Sequence, residues 1–178
     1  MIETERLILR PWREDDLDAL ARMCGDPEVM VDYPAPQTRN ECAERLLRYQ
    51  TTFRQYGYTR WLLEARDDRR FIGYTGIQPV FADHPLRNRS SDKPTVEIGW
   101  RLVRSAWGQG LASEAARASL ADGFSRHRFR EVLSYTTPQN ARSQAVMRRI
   151  GLVRAAEKDF VDSSGNSNIV FATATQTA

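Results

Sequence analysis

The sequence is poor in cysteine, and its apolar residues never form a long run. Its 2 cysteines, Cys24 and Cys42, are too few for a disulfide framework and do not have the spacing of zinc ligands, so we expect no metal site. No segment approaches the run of about 18 apolar residues that a membrane-spanning helix needs. The first residues, Met1 to Arg6, lack the basic and apolar regions of a secretory signal. These absences predict a cytoplasmic protein without a membrane partner.

Length and hydrophobic content predict one domain over residues 1–178. The chain has 178 residues, and 41% of them are hydrophobic. A chain of this size buries roughly 70% of the surface that its unfolded form would expose. It can therefore maintain a core without disulfides or metals, and no linker or repeat divides it.

Lysine is also rare, although the chain is basic. Arginine supplies 24 of the 26 basic residues, the formal net charge is +3, and the arginines are spread along the chain. A nucleic-acid-binding protein would be expected to gather them on one helix or loop with interleaved aromatic residues. We therefore expect no nucleic-acid partner; the opposite hypothesis predicts binding that falls steeply with salt. Scattered guanidinium groups would still suit a small polyanionic ligand.

Hydrophobic spacing predicts strands and helices in mixed order. Alternating or continuous apolar residues predict strands, and an i, i+4 stripe predicts a helix. The polar, proline-bounded segment 81–94 is predicted as a long loop, either mobile or functional. The resulting order is β α α β β β α β α β β, a mixed α/β (α+β) domain with antiparallel and parallel pairings. Strands are predicted over 6–10, 58–65, 71–80, 95–102, 131–136, 152–160 and 169–171, and helices over 17–23, 38–57, 112–124 and 140–150.

Local signals define the ends of the second helix and the two faces of one strand. Thr38 and Glu41 have the spacing of a capping box at the start of that helix. Gly57 is predicted to end it. In the strand over 95–102, side chains alternate between Ile98, Trp100 and Leu102 on one face and Glu97, Gly99 and Arg101 on the other.

The most informative segment runs from Leu102 to Glu114, where a strand leads through a glycine-containing turn into a helix. Such a helix end presents unpaired backbone N–H groups and the positive end of the helix dipole, which together suit a phosphate. Gly108 and Gly110 lack the Cβ atoms that would keep a phosphate away from those amides. The turn therefore predicts an anion site, unless the glycines serve only an ordinary turn.

Two familiar phosphate motifs do not match this turn. A P-loop needs a lysine after its glycines, and no lysine lies between Lys93 and Lys158. The dinucleotide fingerprint requires Gly or Ala where this chain has Ser113, and it expects its glycines directly after the strand. Neither motif explains the segment.

A third motif does match, because Trp107 to Ala112 resembles the pyrophosphate loop of the GNAT acetyltransferase superfamily, Arg/Gln-x-x-Gly-x-Gly/Ala. Tryptophan in the first place is similar to the branch that contains ribosomal-protein N-terminal acetyltransferases (RimJ/RimL-like). The resemblance covers about residues 3–160 and departs after Asp159, where the tail is rich in Ser, Gly and Asn. Four further segments carry it: Thr4–Pro11 with Asp15–Asp16, Phe71–Gly76, Val96–Trp100 and Asn140–Leu152.

This resemblance implies a GNAT fold, acetyl-CoA as the acetyl donor and direct transfer to an amine. The fold has a mixed central sheet of about six or seven strands with splayed fourth and fifth strands, flanked by about four helices. The gap between the splayed strands takes pantetheine, and the amides of the turn hold the pyrophosphate. The resemblance assigns cofactor binding to Trp100, Arg101, Leu102, Trp107, Gly108, Gln109, Gly110, Leu111, Ala112 and Asn140.

The resemblance also suggests catalytic residues. Glu97 is the candidate general base for the acceptor ammonium, and the alternative is a solvent-facing strand glutamate. Ser143 matches the serine that protonates the departing thiolate, and the alternative is an ordinary helix-surface serine. Tyr135 is the second candidate for this acid. Asn140 is expected to cap its helix as well, whereas Glu114 is predicted to be structural, at a helix N-terminus.

The acceptor is less well defined by the sequence. The branch resemblance implies a protein N-terminal amine, and small amines such as polyamines, amino acids or aminoglycosides are the alternative. A non-enzymatic acyl-CoA-binding sensor is a further hypothesis, which the presence of both Glu97 and Ser143 disfavours. We expect the loops over 29–36 and 81–94 to choose the acceptor, and a homodimer is left open.

Overall fold

Nine strands and four helices make up the part of the chain that the computed structural model describes, residues 1–80, 83–88 and 94–174. Of the loop expected to help choose the acceptor, residues 81–82 and 89–93 lie outside the described residues, as do 175–178. The elements are β1 Ile2–Glu3, β2 Leu7–Arg10, α1 Leu17–Cys24, α2 Arg39–Tyr56, β3 Arg60–Ala65, β4 Phe71–Pro79, β5 Val96–Leu102, α3 Leu111–Ser125, β6 Leu133–Thr136, α4 Ala141–Arg149, β7 Val153–Arg154, β8 Phe160–Val161 and β9 Ser167–Ala172.

The strands form one mixed sheet, which confirms the predicted fold class. Their order is β1-β2-β3-β4-β5-β6-β9-β7, with β8 paired to β9. All neighbours are antiparallel except β5 and β6, which are parallel. The sheet has more strands than expected because it includes three strands of only two residues each, β1, β7 and β8.

The strand predicted over 152–160 is interrupted. Residues Ala156–Lys158 form a 3-10 turn that separates β7 from β8. Alanine, glutamate and lysine are disfavoured in strands. Lys158 also turns towards Glu131, with Nζ 2.8 Å from Oε1. The apolar content of this segment predicts one strand, but residues 156–158 disfavour a strand and divide it into two.

β5 and β6 are the fourth and fifth strands of the sequence prediction, and they are splayed. All residues of β5 pair with β4, whereas β5 and β6 share one register pair, Glu97 opposite Leu133. This pair lies near the N-terminal ends of both strands, so the two parallel strands separate towards their C-terminal ends. The edge of β5 beyond Glu97 is therefore left without a strand partner in the described residues.

The two faces of the sheet are covered by different helices. On one face, α1 and α2 pack around Trp12, Leu62 and Tyr74. On the other, α3 packs against apolar residues of β3, β4 and β5, including Ile72 and Ile98. The predicted alternation along β5 is confirmed, since Glu97 and Arg101 lie on the face of α1 and α2, and Ile98 and Leu102 lie on the face of α3.

α2 begins and ends where its sequence signals predict. Thr38 Oγ1 accepts a hydrogen bond from Glu41 N at 3.3 Å, and Glu41 Oε2 accepts one from Thr38 N at 2.7 Å. Gly57 closes the helix with φ +77°.

At the junction of α1 and α2, Cys24 and Cys42 are fully buried free thiols in the core. Burial raises the pKa of Cys24 to about 11.

Candidate active site

A cavity of about 830 Å³ lies where β5 and β6 separate, bordered by the loop after α1, by α2 and by α4. This volume is in the range of about 300–1,000 Å³ that is typical of small-molecule sites. Its lining brings together four of the residues predicted from the sequence, and the second candidate acid lies beside them. These residues are Glu97, Trp100, Arg101, Ser143 and Tyr135.

Glu97 lines this cavity and is not the solvent-facing strand residue of the alternative hypothesis. It is 6% exposed and forms a buried ion pair with Arg60. Its Oε1 accepts hydrogen bonds from Arg60 Nη2 and from Gln78 Nε2, the latter at 2.9 Å. Its Oε2 has no hydrogen-bond partner among the described residues. The carboxylate is thus oriented through one oxygen while the other is available.

Gly99 makes room for the ion pair of Glu97. A Cβ atom at Gly99 would lie 2.8 Å from Nη2 of Arg60 and 3.0 Å from its Cζ. The guanidinium of Arg60 can therefore cross β5 at this position, and it also donates to Gly76 O. Any larger residue at position 99 would displace Arg60 from Glu97.

Ser143 and Tyr135 face the cavity from α4 and β6. Asn140 caps α4, because its Oδ1 accepts a hydrogen bond from Ser143 N at 3.0 Å. The Ser143 hydroxyl lines the cavity and has no partner among the described residues. Burial, and then the charge of Glu97, raise the pKa of Tyr135 above its usual value, so that its phenol stays protonated.

The glycine turn lies outside this cavity, at the N-terminus of α3. Gly108 and Gly110 have φ values of +74° and +78°, which favour glycine. A Cβ at Gly108 would meet no atom within 4 Å. Along the run from Gly108 to Ser113, no backbone N–H has a hydrogen-bond partner in the described chain. The residues present therefore fit an anion such as a diphosphate.

The side chains of the other predicted cofactor residues support the turn from behind. Trp107 Nε1 donates to Leu102 O at 2.8 Å, and Gln109 Nε2 donates to Ser105 O at 2.7 Å. Leu102 and Leu111 are both 5% exposed and pack in the core, where Ala112 also packs. Leu102 and Leu111, whose side chains are buried, would contact a cofactor through their backbone atoms.

Arg101 points its side chain away from the turn. Its guanidinium pairs with Asp32 in the loop after α1, with Nη1–Oδ1 2.8 Å and Nη2–Oδ2 3.0 Å. It also lies 4.7 Å from the ring centre of Tyr33 and donates to Val29 O. The Arg101 side chain therefore holds the loop expected to choose the acceptor, and the assignment of Arg101 to cofactor binding stays a prediction.

Glu114 has the structural role that the sequence predicts. Its Oε1 accepts hydrogen bonds from Thr4 Oγ1 at 2.6 Å and from Arg6 N at 2.9 Å, and Oε2 pairs with the Arg6 guanidinium at 2.6 Å. Burial by itself would raise the pKa of Glu114, but these bonds outweigh it and lower the pKa. The start of α3 is thereby tied to the segment that joins β1 and β2.

Several cavity residues were not named from the sequence, among them Arg45, Arg60 and Tyr33. Arg45 lies on the inward face of α2, three residues after Cys42, so a charge within a predicted apolar stripe was the available signal. Arg60 interrupts an apolar strand in the same way. Tyr33 is carried by the irregular loop after α1, where no periodic pattern exists. Their partners lie far away in the sequence and become visible only in the fold.

Two kinds of feature are absent from the described residues. No helix there is both long and apolar enough to cross a membrane. No group of three or more His, Cys, Asp or Glu side chains there is arranged to hold a metal ion.

Family and sequence comparisons find acetyltransferases. A family model described as "Acetyltransferase (GNAT) domain" matches residues 6–153. The protein YkkB of Bacillus subtilis (strain 168) is 30% identical over 150 residues, which are 84% of this chain and 83% of YkkB. FsC-acetyl coenzyme A-N(2)-transacetylase of Aspergillus fumigatus is 30% identical over 156 residues, which are 85% of this chain and 64% of that enzyme.

Solved structures share the fold. An acetyltransferase from Agrobacterium tumefaciens str. C58 gives a TM-score of 0.80 at 24% identity, covering 96% of this chain and 92% of that one. Aminoglycoside acetyltransferase AAC(6')-Ib with coenzyme A gives 0.75 at 19%, covering 94% of each chain. RimL, a ribosomal L7/L12 alpha-N-protein acetyltransferase with coenzyme A, gives 0.74 at 17%, covering 97% and 96%. At these identities the likeness shows the fold alone.

Proposed function

The chain belongs to the GNAT acetyltransferase family and is an N-acetyltransferase with the fold that its sequence predicts, and we propose that it acetylates the primary amine of a protein N-terminus with acetyl-CoA by direct transfer. The observation that carries the proposal is the cavity at the β5–β6 splay, which Glu97 and Ser143 line together. A sensor that only bound acyl-CoA would need neither group.

The turn before α3 and the open edge of β5 suit the diphosphate and the pantetheine of acetyl-CoA, respectively. The unpaired amides from Gly108 to Ser113 would hold the diphosphate, since main-chain N–H groups at a helix N-terminus favour anions. The backbone of β5 beyond Glu97 would hold pantetheine, and Trp100 lies at the cavity end of this path. When bound, acetyl-CoA supplies an acetyl group activated as a thioester.

Glu97 is the proposed general base. A base must have a free lone pair within reach of the proton that it removes. Arg60 and Gln78 hold Oε1, which leaves Oε2 to accept a proton from the acceptor ammonium, directly or through water. An unpaired N–H of β5 would stabilise negative charge on the acetyl oxygen.

Ser143 is the proposed acid for the leaving thiolate. Its backbone is fixed by the Asn140 cap, and its hydroxyl is free to donate into the cavity. Tyr135 is the alternative donor, because its phenol remains protonated and lines the same space. The acid and the base therefore reach the cavity from opposite sides of the splay.

A protein N-terminus is preferred to a polycationic acceptor because of the charges around the cavity. Four arginines line it, against three carboxylates, so that an aminoglycoside with several ammonium groups would be repelled. An N-terminal amine carries a single positive charge. These charged residues are Arg45, Arg48, Arg60, Arg101, Asp32, Glu97 and Asp162.

The test is release of coenzyme A over a panel of peptides with free N-termini, the same peptides with blocked N-termini, spermidine and kanamycin. We expect turnover only with free N-termini. Glu97→Gln should lower kcat by about 10²- to 10⁴-fold, whereas Glu44→Gln, at an exposed position of α2, should not change it. Turnover of kanamycin alone, or an unaffected Glu97→Gln enzyme, would contradict the acceptor or the base, respectively.

A further inference from the structure

Arg45 is a buried cation without a carboxylate partner. It is 6% exposed and lines the cavity. Its Nη1 donates to Tyr74 Oη at 3.0 Å, its Nη2 reaches Tyr33 Oη only at 3.5 Å, and its Nε is buried without any hydrogen-bond partner. The ion pairs among the described residues do not include Arg45.

The carboxylates around the cavity are already engaged. Glu97 pairs with Arg60, and Asp32 pairs with Arg101. Asp162 accepts hydrogen bonds from the backbone of its own turn, including one from Ser164 N at 2.9 Å. No carboxylate that lines the cavity is therefore left to pair with Arg45.

The position of Arg45 in the fold favours an apolar residue. It lies on the inward face of α2, where Cys42, Leu46 and Tyr49 are all buried. Burying a charge without a counter-ion is unfavourable, whereas an apolar side chain of similar volume would stabilise the same position. An anion brought by a ligand would supply the missing partner.

We infer that the acceptor carries a carboxylate close to its amine, as an acidic N-terminal residue does, and that Arg45 binds this carboxylate. The inference rests on the proposed acetyl transfer and adds the chemical class of the acceptor. Nη2 of Arg45 has only a long contact, 3.5 Å to Tyr33 Oη, so it can donate to a carboxylate oxygen of the acceptor. Nε is buried without a hydrogen-bond partner, so the guanidinium is poorly satisfied by the protein alone.

Tyr33 is placed to complete this carboxylate site. Arg101 holds its loop through Asp32 and lies 4.7 Å from the Tyr33 ring centre, while Arg45 lies 5.4 Å from the same ring. Tyr33 is 37% exposed, so a ligand can reach its hydroxyl from solvent. The acceptor loop and α2 would then both contact the acidic side chain of the acceptor, while Glu97 faces the same cavity.

The test compares two peptides that differ only in one carboxylate, Asp-Ala-Ala-Tyr amide and Asn-Ala-Ala-Tyr amide. The C-terminal amide removes the other carboxylate. We expect kcat/KM of the natural enzyme to favour the aspartyl peptide by about 10- to 100-fold. Arg45→Met should bring this ratio close to 1, and Arg45→Lys should keep part of it. Arg54→Met, at an exposed position of α2 whose Nη2 lies 3.1 Å from Thr51 Oγ1, should leave the ratio unchanged.

Thermal unfolding checks that Arg45→Met is folded; no ion pair is lost, and the lost hydrogen bond to Tyr74 Oη should lower its Tm only modestly. Equal kcat/KM values for the two peptides with the natural enzyme, or a preference that survives in Arg45→Met, would overturn the inference.

Calorimetry without acetyl-CoA separates this inference from the proposed function. If neither peptide is acetylated but the aspartyl peptide binds more tightly, in a manner that requires Arg45, the carboxylate site stands and the acceptor assignment fails. Free aspartate is the third probe. If it alone is acetylated, and Arg45→Met abolishes this, the site again stands and the acceptor is an amino acid. If none of these carboxylates binds, the inference is wrong.

Discussion

Replacement of Arg60 by methionine should destabilise the protein by leaving Glu97 buried without its cation. Both residues are 6% exposed. Removal of one partner from a buried pair costs about 3–5 kcal/mol, because the other charge stays buried. Gln78 still donates to Oε1 at 2.9 Å, so we expect the lower end, about 3 kcal/mol. In a chain of this size that lowers Tm by about 6–12 °C.

Urea denaturation followed by the fluorescence of the 4 tryptophans measures this loss. The double variant Arg60→Met/Glu97→Met should recover to within about 1 kcal/mol of the natural protein, since no lone charge remains buried. The single variant Glu97→Met leaves the guanidinium of Arg60 as the lone buried charge, so it should be destabilised as well.

The matched control is Arg39→Met, which breaks the exposed pair of Arg39 with Asp18, whose side chains are 61% and 62% exposed. This change should cost no more than about 1 kcal/mol. If the double variant at positions 60 and 97 loses the sum of the two single losses, the residues act independently. The ion pair would then not be what orients the carboxylate of Glu97.

Two further predictions concern the helix that follows the glycine turn. Because its hydrogen bonds lower the pKa of Glu114, its contribution to stability is present above about pH 4.3, the value of an unfolded glutamate, and is lost as the pH falls through the lower folded value. Glu114→Gln should therefore cost about 1–3 kcal/mol at neutral pH and flatten the acid limb of the stability profile measured by denaturation; an unchanged limb would contradict this. Gly108→Ala imposes about 1–2 kcal/mol of strain at φ +74°. Calorimetry should therefore detect weaker binding of coenzyme A to this variant, and an affinity equal to that of the natural protein would contradict the prediction.

The fold could be predicted largely from local patterns. The i, i+4 stripes, the capping box at Thr38 and the alternation along β5 depend on neighbours within a few residues, and they place the helices and central strands correctly. The segment over 152–160 was joined wrongly because its apolar ends concealed a turn at Ala156–Lys158. The single domain over 1–178, the cytoplasmic location and the homodimer stay predictions.

The family resemblance named Glu97, Ser143 and Tyr135, which line the cavity, but local sequence patterns alone predict the site only where its function depends on the backbone. The glycine turn is visible because glycines and a helix start are adjacent in the sequence. Arg60 meets Glu97 across 37 sequence positions, and Arg45 meets Tyr74 across 29, so no local pattern reveals these contacts. The ion pair of Arg101 with Asp32 is likewise hidden from local patterns, and the predicted place of Arg101 along the cofactor stays a prediction.

The one register pair between β5 and β6 divides the sheet into two parts that are joined by few backbone contacts. A ligand bound along this junction would contact both parts and hold them together. A ligand that binds only the folded form, present at 100 times its Kd, adds about 2.7 kcal/mol to stability. Acetyl-CoA bound along this junction, as proposed, should therefore raise the Tm of the enzyme.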